Sequence, residues 1–64
     1  MSKPVIGSFV DVLQGQYHGN SGRITDIDLD YDSAWYLVQF TKGPDKGQIH
    51  YVHMTEVGAF KDND

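Results

Sequence analysis

Histidines at 18, 50 and 53, aspartates alternating at 26, 28, 30 and 32, and serines at 8, 21 and 33 are the residues of this 64-residue chain whose types suit chemistry. A metal site needs ligands that converge. His50 and His53 stand three apart, and on extended backbone that spacing sends them to opposite faces. His18 is remote in sequence, and no carboxylate stands where it would complete a tetrahedral set. The three are read as surface or rim histidines, and neither a metal nor another cofactor is expected. The run Asp-x-Asp-x-Asp opens calcium loops of the EF-hand type, which also need Gly at the sixth position and Glu at the twelfth. Counted from Asp26, those positions are Tyr31 and Leu37. None of the serines lies in a strand–Gly-x-Ser-x-Gly–helix elbow. No catalytic residue is assigned, and the chain is read as a non-enzyme.

What remains is chemistry of recognition. On a strand, Asp26, Asp28, Asp30 and Asp32 line one face. Such an acidic strip is a solubilising edge that resists aggregation, or a row of charge that docks on a basic protein surface or imitates the charge row of nucleic acid. Trp35 with Tyr31 and Tyr36 resembles the beginning of an aromatic cage, which in Tudor-like barrels holds a methylated cation. In so small a domain large aromatics are also needed inside, and core filling is the expectation for Trp35 and Tyr36. The proline-peptide groove of true SH3 domains needs an acidic loop and paired aromatics in an order that this chain lacks.

Composition narrows the partners. Nine acidic residues against five Lys and Arg give a net charge of −4, which opposes nucleic-acid phosphate at long range. The chain contains no cysteine, so a disulfide scaffold and thiolate metal sites are excluded. Its apolar runs fall far short of the roughly 18 residues that cross a bilayer, and residues 1–7 lack the apolar stretch of a secretory leader. A cytoplasmic protein with no membrane association is expected.

Helical periodicity is nearly absent, and period-two stretches recur between glycines. Ser8–Gln14 reads as a first strand with Val10 and Val12 inward, followed by a loop with glycines at 15, 19 and 22. Arg23–Asp30 reads as the second strand. Its inward set slips by one residue between Ile24 and Ile27, the mark of a β-bulge. Ala34–Thr41 carries apolar residues on both faces, so a strand covered on both sides is predicted. Lys42–Gly47 is a turn, Gln48–Val52 a fourth strand, residues 53–55 a single short 3-10 turn, and Glu56–Phe60 a last strand. Five short strands in about sixty residues bury enough surface only when the sheet bends toward closure. The expectation is one all-β domain over residues 1–64, a five-stranded SH3-like, partly open barrel. Residues 1–6 form its lead-in and residues 61–64 a frayed tail.

Residues 7–27 carry a more specific pattern: Gly7, then Val10-Asp11-Val12, a glycine-rich loop holding Tyr17, then Gly22 and the aliphatic Ile24 and Ile27. This third of the chain resembles the KOW motif of NusG-type transcription elongation factors and of several ribosomal proteins. The resemblance implies a non-catalytic adaptor or regulator that binds protein or RNA in transcription or translation assemblies, mainly through loops. RNA-binding members are rich in Lys and Arg around the loop, whereas this loop has His18 within it and Arg23 beside it. A protein partner is therefore expected on the loop residues Tyr17, His18, Asn20 and Arg23 with the aromatics Tyr31 and Trp35. Direct RNA or DNA binding through the same loop is the alternative. A second alternative rests on Gln48-Ile49-His50-Tyr51, which loosely resembles the Gln-Ile-Tyr stretch of type II dihydrofolate reductases, SH3-like enzymes active only as tetramers. Here His50 breaks that spacing and no matching Lys precedes it.

Overall fold

The computed structural model describes residues 4–61, with side chains through Gly58. The expected lead-in at residues 1–3 and frayed tail at residues 62–64 lie outside the described residues, while Lys61 ends the last strand. The elements run β1 (Phe9–Val12), β2 (Ser21–Asp30), β3 (Ser33–Lys42), β4 (Ile49–His53), a 3-10 turn η1 (Met54–Glu56) and β5 (Val57–Lys61). All pairings are antiparallel, in the order β4-β3-β2-β1-β5. The sheet curls into a barrel that stays partly open.

Alternation decides the faces. Along β3, Ala34, Tyr36, Val38 and Phe40 turn inward and are buried; with Val10, Val12, Ile24 and Val52 they make the core. The slip expected in the second strand is present: the β2–β3 register shifts between Ile24 and Asp26. The extra residue puts Ile24 and Ile27 on the same concave side and bends the sheet there. A second irregularity closes the β3–β4 turn. Gly47, at φ +94°, donates its N–H to the Phe40 carbonyl at 2.8 Å, while the Phe40 N–H goes to Gln48 O at 2.8 Å. That is a bulge whose first residue must be left-handed, and glycine adopts that conformation without strain.

Two expectations are corrected. The outer face of β3 is not covered: Trp35 is 41 % exposed and Gln39 is exposed on that side. The chain is too short to lay a second layer over both faces of a sheet it must also curl. Asp32 does not continue the acidic row of β2, because Asp30 pairs with Ser33 and leaves Tyr31-Asp32 as a two-residue turn.

Candidate protein-binding surface

The glycine-rich loop between β1 and β2 is held from within. Asn20 is 1 % exposed, and its amide donates to Tyr17 O and to Asp45 Oδ2, both at 2.9 Å. Its Oδ1 accepts the Asp45 N–H at 2.8 Å. Both amide protons and Oδ1 are engaged, so Asn20 pins this loop to the β3–β4 turn, and its side chain is buried rather than presented at the surface. The Tyr17 ring is half-buried. It stacks on His50 at 4.3 Å between centroids and tilts against Phe40 at 5.7 Å. Tyr17 thus closes one end of the barrel. His18 is exposed, with Nδ1 donating to the Gly15 carbonyl at 3.0 Å. Arg23 is exposed on the outer face, its guanidinium 4.8 Å from the centroid of the Phe9 ring. At the start of the loop Leu13 is 60 % exposed.

The other end of the barrel is different, for a reason of length. Strands β2 and β3 each have ten residues, whereas β1 has four and β4 five. Strand β1 reaches β2 only at residues 21–23, and β4 reaches β3 only at residues 35–39. The distal β2–β3 hairpin therefore projects as an arm with no strand beside it at its tip.

The inner side of the arm is an open apolar groove of about 680 Å³ between the hairpin, Met54 and the chain at Pro4-Val5. Ile27, Leu29, Ala34 and Tyr36 form its floor, and Tyr31, Asp32 and Ser33 form its rim at the tip. Leu29 is 75 % exposed and Tyr31 fully exposed. Tyr31 also holds φ at +52° and is the one described non-glycine residue with positive φ. For a bulky L-residue that conformation is uncommon and strained.

On the outer side the register sets Asp28 opposite Trp35 and Asp26 opposite Leu37. One strand further, Trp35 faces His53 and Leu37 faces Tyr51. The Trp35 ring meets His53 edge-on at 4.8 Å. His53 Nδ1 accepts from the Thr55 N–H and hydroxyl, so this imidazole caps η1. Three carboxylates, Asp26, Asp28 and Asp30, thus run beside an exposed Trp and Tyr. His50 and His53 face opposite sides, as their spacing requires, and no group of metal ligands converges among the described residues.

Of the residues singled out from sequence, the structure sets Trp35 beside Asp28 on the outer face, while Tyr31 and Asp32 stand at the arm tip on the rim of the groove. Tyr17 and Asn20 serve the barrel, and Arg23 stands apart from the arm. Leu29, Tyr51 and Met54 were missed. The signal for them was the contrast between ten-residue strands and shorter neighbours, which leaves alternating apolar residues without a cover.

Comparisons with protein-family models, with curated proteins and with solved structures find no match.

Proposed function

We propose that this chain is a non-catalytic protein-binding module whose partner is a basic segment bearing an apolar anchor. The anchor seats in the groove formed by Ile27, Leu29, Tyr36 and Met54, a cationic neighbour meets Asp32 on its rim, and Asp28 and Asp30 on the opposite face of the hairpin attract the basic segment at longer range. The observation that carries this reading is the groove itself: a concave apolar surface, open to solvent, with the Asp32 carboxylate on its rim. Exposed apolar concavities with a polar rim are the usual form of interaction sites. Carboxylates at the rim chiefly raise the encounter rate and select against acidic partners, and the buried anchor supplies most of the affinity. The KOW-like pattern of residues 7–27 suggests a setting in transcription or translation assemblies.

Affinity capture with the wild-type chain and with the variant Leu29→Asp/Met54→Asp tests this reading. Leu29 is 75 % and Met54 37 % exposed, and circular dichroism of the variant checks that its fold is kept. Proteins retained by the wild type, lost by the variant and eluted by salt are the expected result. An identical retained set overturns the groove as the binding surface.

A further inference from the structure

Strand β4 is an outer strand of the sheet, and its pairing with β3 fixes which of its backbone groups are unused. Phe40 donates to Gln48 O at 2.8 Å, and hydrogen-bonded positions alternate along an antiparallel ladder. With Val38 opposite His50 and Tyr36 opposite Val52, it is His50 and Val52 that bond to β3. Ile49, Tyr51 and His53 direct their backbone groups to the open side. The cap agrees: the His53 N–H turns away from β3 and donates to Glu56 Oε1 at 3.0 Å. Ile49 and Tyr51 therefore offer two donors and two acceptors along a free edge.

Outer strands normally carry a device that blocks further pairing, such as a charge, a proline or a bulge. Ile49–His53 reads Ile-His-Tyr-Val-His, without Lys, Arg, Asp, Glu or Pro, and its register with β3 is unbroken. The opposite outer strand, β5, has such a device: its register with β1 is broken between Phe9 and Asp11.

We infer that β4 pairs antiparallel with β4 of a second copy, about a two-fold axis at His50. Ile49 then lies opposite Tyr51 of the second copy and Tyr51 opposite Ile49 of the second copy. All four free groups on each edge are used. The register about Tyr51 fails, because it requires the His53 N–H that Glu56 already holds. Ile49 and Tyr51, both about half exposed, become cross-strand neighbours. An aromatic beside a β-branched side chain is a favourable pair on a sheet.

Charge does not oppose the contact. Between the two β2 strands lie five strand spacings of about 4.8 Å, or about 24 Å, which is some three Debye lengths at physiological salt. The net charge of −4 on each copy therefore acts weakly across this edge, while a foreign strand has no comparable reason to match it group for group. The overlap is far smaller than a standard interface of about 1,600 Å², so the dimer is reversible and depends on concentration.

Sedimentation equilibrium of the full chain, up to about 1 mM, tests the pairing. The expected mass rises from the 7.2 kDa of one chain toward twice that value, and the amide signals of Ile49 and Tyr51 shift with concentration. In Ile49→Lys/Tyr51→Lys like charges face each other twice across the axis, and the chain stays monomeric. In Ile49→Lys/Tyr51→Glu each Lys faces a Glu of the other copy, and association returns. A wild-type chain that remains monomeric, a dimer that survives the double-lysine change, or a Lys/Glu variant that stays monomeric each overturns the inference.

Discussion

Asn20 and Asp45, 25 residues apart, clasp one another through two hydrogen bonds: the Asn20 amide donates to the Asp45 carboxylate, and the Asp45 N–H donates to Asn20 Oδ1. The pair joins the β1–β2 loop to the β3–β4 turn at the barrel end that Tyr17 closes. The two hydrogen bonds thereby fasten the β1–β2 loop to the turn.

Replacing Asn20 tests this. Asn20→Ala removes the acceptor of the part-buried Asp45 N–H and the donor to the Asp45 carboxylate, which costs about 1 kcal/mol or more. Asn20→Asp faces the Asp45 carboxylate with a second carboxylate and is more harmful at neutral pH than at low pH, where either group can be protonated. Urea denaturation at both pH values reads the difference; equal stability of Asn20→Asp and wild type at neutral pH would contradict the clasp.

Gly22 is needed for closeness rather than for a turn. A Cβ there would fall on the Gln39 carbonyl oxygen and lie 2.8 Å from Phe40 Cα. Both obstacles are backbone of the neighbouring strand β3 and cannot swing aside. Gly22→Ala is expected to cost about 3 kcal/mol, a large share of the margin of a domain this size. Thermal unfolding followed by circular dichroism measures it, and an unchanged midpoint would show that β2 and β3 are not so close.

At the arm tip, stability and recognition pull apart. The left-handed Tyr31 costs about 1–2 kcal/mol relative to relaxed backbone, and the first central position of a two-residue hairpin turn with one positive φ is normally glycine. Tyr31→Gly should raise the unfolding midpoint by several degrees, at about 4–8 °C per kcal/mol for a small domain, while weakening capture of the partner. A variant that is both less stable and equally competent in capture would remove Tyr31 from the proposed surface.

Asp26, Asp28 and Asp30 face the same side at two-residue spacing, so each repels its neighbours. Asp28→Asn is expected to raise the midpoint slightly at low salt and to lose that advantage near about 1 M salt, where the Debye length falls to about 3 Å. The same substitution should reduce the association rate with a basic partner more than it changes dissociation. A salt-independent effect on the midpoint would mean that Asp28 acts through something other than charge.

Much of this architecture was legible in the sequence. The period-two stretches located all five strands to within a few residues, and the slip between Ile24 and Ile27 located the bulge. The η1 turn falls one residue later than expected, at Met54–Glu56. Two features were not legible, one for reasons of relative length and one because it depends on how the sheet curls. Apolar residues on both sides of β3 suggested cover on both faces, but cover depends on how far neighbouring strands extend, which alternation within one strand does not encode. Asn20 looked like an exposed loop residue because its partner Asp45 is brought near only when the sheet curls. The aspartates and the aromatics were read separately, and their adjacency follows from the β2–β3 register, which is decided by the turn at Tyr31-Asp32.

The pairing of Phe9 with Lys61 also orders the events by which the chain acquires its shape. The β2–β3 hairpin needs only a two-residue reversal and can zip early, whereas joining β1 to β5 must close a loop that embraces nearly the whole chain, at a correspondingly greater entropic cost. The flank of β1 that faces β5 therefore stays unpaired until β5 is in place.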